Sequence, residues 1–256
     1  SYRQALKIDS DFAEAHNNIA GALNEKGDLE AALNGYTRAV KIKPNYTEAH
    51  NNMGSVLQAM GDLDGAISSY QQALSIRPDL CETYNNMGIA LRDKGDLEAA
   101  MISFNQALKI RPGYAEAYSN IGKALKGVVF TEPNAFFQEL ITSLLDSNNY
   151  GTPIDISKAA ISLLKFDPVI KELFKKHSSG KVHQLIRGVT SSLSEVPLLL
   201  KLMSICPLAD LELEGVLKEL RSSLLLSDPA VLNSPEVLRF QSALALQCFT
   251  NEYVYN

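Results

Sequence analysis

One stretch of sequence recurs through the first half of the chain at a spacing of 34 residues, and this period limits the possible folds more than any other feature. The stretch from Cys81 to Gly113 reads CETYNNMGIALRDKGDLEAAMISFNQALKIRPG, and similar stretches begin at Thr47 and Ala13. A period of this length is typical of stacked repeats, in which each unit buries its apolar face against its neighbours. The period predicts a partial repeat at 1–12, full repeats at 13–46, 47–80 and 81–114, and a partial repeat at 115–126.

Each repeat is predicted to be a pair of helices joined by a tight turn. In the repeat that starts at Cys81, apolar residues four apart mark the first helix, and Gly95 can adopt the left-handed conformation that ends a helix. Asp96 can then cap the second helix, and Pro112 prevents that helix from continuing. A small residue in each first helix permits close helix packing: Ala20, Gly54, Gly88 and Gly122.

The spacing of these residues resembles the tetratricopeptide repeat, whose signature is a set of aromatic, small and proline positions. In the third full repeat the signature positions are Tyr84, Met87, Gly88, Leu91, Ala100, Phe104, Ala107 and Pro112. The resemblance implies an all-α fold, a right-handed superhelical solenoid whose first helices line a concave face. It also implies that this face binds another protein or an extended peptide.

Asparagines recur in pairs on the predicted first helices. The first members of the pairs form one row: Asn17, Asn51 and Asn85. The second members form another, which Asn120 continues after Ser119: Asn18, Asn52, Asn86 and Asn120. An asparagine amide can pair with both the N–H and the C=O of a peptide backbone. In this respect the array resembles the repeats of O-linked N-acetylglucosamine transferases, where a matching asparagine forms a ladder along a bound peptide. We expect both rows to bind an extended polypeptide; alternatively, the amides form hydrogen bonds within and between the repeats.

Charged residues towards the ends of the first helices add Arg92 and Lys126 to the predicted peptide-binding set. They predict a groove that becomes more basic along the array. The carboxylate clamp that repeat proteins use for the acidic tails of heat-shock chaperones is absent, since Asn17, Asn51 and Asn85 replace its lysine.

Beyond about residue 127 the period is lost, but amphipathic stretches separated by prolines still predict helices. The first is predicted at about 133–146, with Thr131 as a possible cap and Pro133 in its first turn. The others are predicted near 156–166, 168–176, 182–193, 197–205, 211–224 and 235–249. We expect residues 127–256 to form an all-helical domain that caps the repeat array. Two of its segments, LADLELEGVLKELRSSLL and LRFQSALALQCFTNEYVYN, resemble the helical region that precedes a methyltransferase domain in bacterial repeat proteins. This resemblance implies an alternative function, the recruiting and linking region of a larger enzyme whose catalytic domain lies outside this chain.

No catalytic, cofactor-binding or metal-binding residues are predicted. The chain has no glycine-rich phosphate-binding motif and no nucleophile motif, and we expect His16 and His50 to pack between helices. His177 and His183 lack the partners that a metal site requires. The cysteines, Cys81, Cys206 and Cys248, are scattered and odd in number, which is typical of a reducing compartment.

Net charge and hydropathy exclude further classes of partner. A formal net charge of −5 gives no general attraction to nucleic acid. The chain shows no apolar run that approaches the length of a membrane span. The sequence therefore predicts a cytoplasmic protein whose partner is another protein, an extended peptide or a second copy of the chain.

Overall fold

The computed structural model describes residues 12–146, 153–179, 192–205 and 210–225, together with 235, 238 and 240–243. Contacts divide the chain into two units, residues 1–121 and 122–256. The described residues form helices and no strands, which confirms the all-α prediction. None of the helices in these ranges combines the length and the apolar character that crossing a lipid bilayer requires.

Six helices form three hairpins in the first unit, and a seventh begins a fourth. Their bounds are α1 Ala13–Glu25, α2 Leu29–Ile42, α3 Thr47–Ala59, α4 Leu63–Ile76, α5 Cys81–Lys94, α6 Leu97–Ile110 and α7 Ala115–Leu125. The remaining described helices are α8 Ala135–Asp146, α9 Pro153–Leu164, α10 Pro168–Ser178, α11 Pro197–Ile205 and α12 Leu211–Leu225. The partial repeat predicted at 1–12 lies outside the described residues except for Phe12.

The turn inside each hairpin follows from local chemistry, as predicted. Gly95 has a φ of 92°, a left-handed conformation that glycine adopts without steric cost. The next residue, Asp96, accepts a hydrogen bond at 3.1 Å from the backbone N–H of Ala99 and so caps α6. The same glycine conformation and aspartate cap recur at the other two full repeats, at Gly27 and Asp28 and at Gly61 and Asp62.

The small residues of the first helices allow an aromatic ring of the second helix to pack against their backbone. A β-carbon added at Gly54 would lie 2.7 Å from the ring of Tyr70, and one at Gly88 would lie 2.6 Å from the ring of Phe104. These distances are shorter than a van der Waals contact, so the hairpins at 47–80 and 81–114 require glycine at this place.

The core of each repeat is completed by the repeat that follows. Tyr36 is buried against Ala20 of its own hairpin and Val56 of α3. In the same way, Tyr70 packs with Ala90 of α5. Since each aromatic ring needs the next hairpin to cover it, the repeats are stable as a stack.

The second unit is held by apolar helix faces that follow no 34-residue period. In α8 the buried residues are Phe137, Leu140, Ile141, Leu144 and Leu145. Helix α8 packs on α9 and α11, and α10 packs on α12. Polar pairs also join segments that are distant in sequence. Lys165, just after α9, lies 2.8 Å from Asp210, just before α12, and Nδ1 of His177 in α10 lies 2.5 Å from Oε2 of Glu219 in α12.

Helix boundaries in this unit follow the sequence pattern except at the starts of α8 and α9; the pattern predicts that α9 starts near Ile156, whereas it begins at Pro153. We expected Thr131 to cap a helix that starts at Pro133, but the helix begins at Ala135. Asn134 is the cap, since its Oδ1 accepts a hydrogen bond at 3.1 Å from the N–H of Phe137. The helices expected near residues 182–193 and 235–249 lie largely outside the described residues.

Candidate peptide-binding face

The paired asparagines lie on one surface of the first unit, which we call the asparagine face. It is formed by the first helices of the hairpins, α1, α3, α5 and the beginning of α7. Helix α1 lies beside α3, and α3 lies beside α5. Because the repeats have the same length and start their helices at the same place, equivalent asparagines occupy equivalent positions on neighbouring helices.

The first row of asparagines connects each repeat to the next. Oδ1 of Asn51 accepts a hydrogen bond at 2.9 Å from Oγ1 of Thr83, and Oδ1 of Asn85 accepts one at 2.9 Å from Nδ2 of Asn120. Oδ1 of Asn17 is 3.5 Å from Nδ2 of Asn52, a longer bond of the same kind. Asn17 and Asn85 are only 2% and 5% exposed, so their side chains act inside the stack.

The second row is more accessible. Asn18, Asn52 and Asn86 are partly exposed, whereas Asn120 is 8% exposed and is occupied by its bond to Asn85. The amide of Asn86 has no hydrogen-bond partner among the residues that the structure describes. The predicted set therefore divides into amides that join the repeats and amides that remain able to bind a ligand.

Thr83 explains why Asn86 differs from the other members of its row. The other repeats carry a buried alanine at this position: Ala15, Ala49 and Ala117. Where alanine is present, the second asparagine donates to the preceding repeat, as Asn52 and Asn120 do. In the third full repeat the hydroxyl of Thr83 makes that bond, and the Asn86 amide has no partner in the described part of the chain. The departure of Thr83 from the repeated alanine is a sequence signal that the motif analysis missed.

The two predicted basic residues have partners of their own. Nε and Nη2 of Arg92 donate to Oδ1 of Asp93 at 3.0 and 2.7 Å, so a carboxylate already balances its charge. Lys126 belongs to the second unit, where its ammonium group is 3.5 Å from Asp155.

The histidines in the described part of the repeats are packing residues. Nε2 of His50 is 2.8 Å from the carbonyl oxygen of Pro44, and Tyr118, at the equivalent position of the fourth repeat, donates to the carbonyl of Pro112. His16 is 8% exposed. Across the described residues, no three His, Cys, Asp or Glu side chains are grouped so that they could hold a metal ion. His183, Cys206 and Cys248 lie outside those residues.

Burial also perturbs the acidity of side chains under this face. It raises the pKa of the Tyr70 phenol, and a hydrogen bond with Ser55 acts in the opposite direction. Burial raises the pKa of the Cys81 thiol, which donates to Glu82 at 3.1 Å. A thiol of this kind is a poor nucleophile, because the thiolate is the reactive form.

Several solved structures are similar to part of the chain. The crystal structure of MamA has 23% sequence identity and a TM-score of 0.46, over 48% of this chain and 72% of that one. An O-GlcNAc transferase mutant from Thermobaculum terrenum has 25% identity and a TM-score of 0.44, over 51% of this chain and 25% of that one. The first TPR of Spaghetti, bound to an HSP90 peptide, has 21% identity and a TM-score of 0.44, over 45% of this chain and 92% of that one. No curated protein sequence is significantly similar to the chain.

Family models assign the repeats directly. Residues 45–113 match a tetratricopeptide repeat model, and residues 20–61 match a second TPR repeat model. Neither match extends into the second unit, so the resemblance of that unit to a region preceding a methyltransferase domain remains a prediction. The chain therefore carries tetratricopeptide repeats over residues 20–113, as its 34-residue pattern predicts.

Proposed function

We propose that the asparagine face binds an extended polypeptide through the amides of Asn18, Asn52 and Asn86. Tetratricopeptide repeats support a role as a protein-interaction module. The observation that carries the proposal is the state of Asn86, which is partly exposed and has both its donors and its acceptor without a partner among the described residues.

The amides of Asn18 and Asn52 also have hydrogen-bonding groups without a partner among the described residues. Asn18 accepts from Asn17 at 3.4 Å, and its own N–H donors have no partner in the described part of the chain. Asn52 donates to Asn17, and its carbonyl oxygen is without a partner there. Each amide can thus pair with a backbone group of a peptide, which would be held by its main chain more than by its side chains.

The asparagines of the first row have a supporting role in this proposal. Asn17, Asn51 and Asn85 accept hydrogen bonds from the next repeat and so fix the spacing between the second-row amides. Because Asn120 donates inside the stack, we do not include it among the peptide contacts. Arg92 is bonded to Asp93 and Lys126 lies in the second unit, so the proposed contact rests on amides.

A peptide-display selection tests the proposal. A library of random twelve-residue peptides is selected on the full chain, and the affinity of each recovered peptide is measured by fluorescence anisotropy. We expect the double substitution Asn52→Ala and Asn86→Ala to weaken binding by roughly tenfold or more, since each amide loses net hydrogen bonds worth about 1 kcal/mol. The matched control is Asn34→Ala with Asn105→Ala, which removes two amides from the second helices α2 and α6.

Backbone chemistry provides the sharper test. Methylation of alternate backbone nitrogens in a recovered peptide should abolish binding, whereas exchange of its uncharged side chains should change affinity little. If Asn52→Ala with Asn86→Ala binds as tightly as the control variant, the asparagine face is not the binding site.

The other predicted roles remain predictions. They are capping of the array by the second unit, recruitment of a substrate to a catalytic domain outside this chain, and self-association.

A further inference from the structure

One glutamate recurs in the first turn of each first helix, at Glu14, Glu48, Glu82 and Glu116, and the copies in the three full hairpins differ in their partners. The carboxylate of Glu14 lies 2.8 Å from Nζ of Lys43, and that of Glu82 lies 2.5 Å from Nη2 of Arg111. Both pairs join the start of a first helix to the end of the second helix of the same hairpin. The carboxylate of Glu48 has no ion pair with any described residue.

The difference arises from the residue that follows each hairpin. The Lys43 ammonium lies 4.7 Å from the ring centre of Tyr46, and the Arg111 guanidinium lies 4.9 Å from that of Tyr114. A cation is attracted to the face of an aromatic ring, so each tyrosine helps to hold the cation beside its glutamate. The middle repeat has Leu80 at this position, and there Arg77 lies 3.5 Å from Asp79 instead.

Glu48 is nevertheless held within the asparagine face. Its Oε1 accepts a hydrogen bond at 3.2 Å from Nδ2 of Asn17. The same Asn17 side chain accepts from Asn52, which lies four residues after Glu48 and therefore on the same side of α3. An exposed carboxylate thus lies one helical turn from a proposed peptide contact.

The surroundings of Glu48 are acidic. Burial raises the pKa of the Tyr36 phenol, and the charges of Glu48 and then Glu25 raise it further. Glu25 is exposed and has no ion pair with any described residue. Lys43, which lies over the ring of Tyr46 near the start of α3, is already paired with Glu14. Neither Glu48 nor Glu25 therefore has a cation of its own among the described residues, and a positively charged ligand group can pair with Glu48.

We propose that Glu48 binds a lysine or arginine side chain of the polypeptide that lies on the asparagine face, so that the partner is a basic extended segment. This inference rests on the proposed function, because it assigns a specificity-determining residue to the same site. It adds an acidic contact in the second full repeat to a groove that the sequence predicts to become more basic along the array.

The test compares peptides selected by three forms of the full chain: the wild type, Glu48→Gln, and the control Glu30→Gln, which removes an exposed carboxylate from α2. We expect peptides recovered on the wild type and on Glu30→Gln to share a lysine or arginine at one position. The enrichment should be lost on Glu48→Gln. For a single recovered peptide, Glu48→Gln should weaken binding by roughly three- to fivefold, and less at high salt, as expected for a partly exposed ion pair.

A second variant keeps Glu48 but provides it with an ion-pair partner within the chain, so that it is no longer free to bind a ligand cation. Asp79→Asn with Leu80→Tyr gives the middle repeat the residues that follow the first one, Asn45 and Tyr46. Arg77 should then pair with Glu48 as Lys43 pairs with Glu14, and the preference for basic peptides should fall as it does in Glu48→Gln. Circular dichroism confirms that each variant folds.

The outcomes separate this inference from the function on which it rests. Peptides that depend on Asn52 and Asn86 but show no basic position would overturn the role of Glu48 alone. Failure of every recovered peptide to depend on these asparagines, or recovery of no peptide, would contradict both proposals. A charge exchange tests the ion pair directly. Glu48→Lys should weaken binding of a basic peptide, and replacement of the peptide's basic residue by glutamate should restore it.

Discussion

The first and second full repeats fill the same space with different residues. In the repeat at 47–80, Gly54 of α3 faces Tyr70, and Ser69 of α4 donates from its buried side chain to the carbonyl of Gly65. In the repeat at 13–46, Ala20 replaces the glycine of the first helix and Gly35 replaces the serine of the second. A β-carbon added at Gly35 would lie 2.8 Å from the Cβ of Ala20. The two hairpins thus place the small residue on opposite helices.

The second and third repeats differ in a similar way at the asparagine face. Ala49 of α3 makes no side-chain hydrogen bond, and Asn52 of that helix donates to the preceding repeat. Thr83 of α5 makes the equivalent bond through its hydroxyl, so the amide of Asn86 does not bond to the preceding repeat. Equivalent asparagines in two repeats can therefore have different hydrogen bonds, because those bonds depend on the side chain at the facing position of the neighbouring helix.

The largest effect on stability is expected from Gly54→Ala, which adds a β-carbon where the second full repeat has no space for one. Gly54→Ala places a β-carbon 2.7 Å from Cε1 of Tyr70, a ring that is 1% exposed and has little room to move. We expect a loss of about 1–3 kcal/mol in the free energy of unfolding, the usual cost of overpacking a core. Urea unfolding followed by circular dichroism measures it.

The matched control is Gly113→Ala, because an added β-carbon there meets no atom within 4 Å and the backbone has no positive φ. We expect this control to change stability by less than about 0.5 kcal/mol. Equal effects of the two substitutions would show that the ring contact does not limit the hairpin.

The second prediction transfers the arrangement of the first repeat to the second. Ser69→Gly in the Gly54→Ala background reproduces the pair Ala20 and Gly35, which allows the second helix to approach the added methyl group. We expect a favourable coupling of about 1 kcal/mol in a double-mutant cycle over the two single substitutions. Additive effects would mean that the two positions do not compensate each other.

The third prediction concerns the hydroxyl of Thr83, which bonds to Asn51 in place of the Asn86 amide. Thr83→Ala should turn the Asn86 amide towards Asn51, as Asn52 is turned towards Asn17. Because the other repeats carry alanine at this place, we expect a stability loss of at most about 1 kcal/mol. A peptide recovered in the display experiment should bind roughly fivefold more weakly, the effect that we expect from the loss of one amide contact worth about 1 kcal/mol.

The side-chain amide resonances of Asn86, followed by nitrogen-15 NMR, should shift in Thr83→Ala without peptide. Unchanged resonances together with unchanged peptide affinity would contradict the role assigned to Thr83.

The smallest expected effect concerns the paired glutamates and pH. The hydrogen bond from Lys43 lowers the pKa of Glu14, and the hydrogen bond from the Cys81 thiol, with a further one from Arg111, lowers that of Glu82. A carboxyl group whose pKa is lower in the folded state contributes its stability above the unfolded pKa of about 4.3 and loses it as pH falls through the folded pKa. Wild-type stability should therefore decrease on acidification below about pH 5.

The variant Glu14→Gln with Glu82→Gln should show a flatter profile in urea unfolding between about pH 5 and pH 3. The effect is small because both ion pairs are at the surface. Glu48→Gln is the control, since it removes a glutamate at the same repeat position without removing an ion pair. A profile for the double variant that matches the wild type would show that these pairs do not contribute.

Much of the first unit could be predicted from its sequence because its determinants are local. A glycine such as Gly95 ends a helix through its own backbone freedom, and Asp96 caps the next helix within three residues. In the second unit, prolines and apolar spacing placed most of the described helices. The predicted cap of α8, Thr131, was wrong: both threonine and asparagine are acceptable caps, and the structure places Asn134 at the start of the helix.

The candidate site was only partly predictable. The sequence placed the paired asparagines on one face through their common register. It did not show that Asn17 and Asn85 are buried and bonded to the next repeat, because such bonds join residues more than thirty positions apart. Nor did it distinguish Asn86 from Asn52, since that depends on the hydroxyl of Thr83 reaching Asn51.

The sequence by itself therefore determined the helical hairpins, their turns and the register of their asparagines, because each depends on residues close together in the chain. Only the tertiary structure decided which amides remain available and that Glu48, unlike Glu14 and Glu82, has no ion pair with a described residue. It also decided the pairing of His177 with Glu219 across α10 and α12. Those properties depend on which side chains meet across a helix interface. Because residues about 3 Å apart in space can be far apart in the sequence, local sequence patterns do not show these contacts.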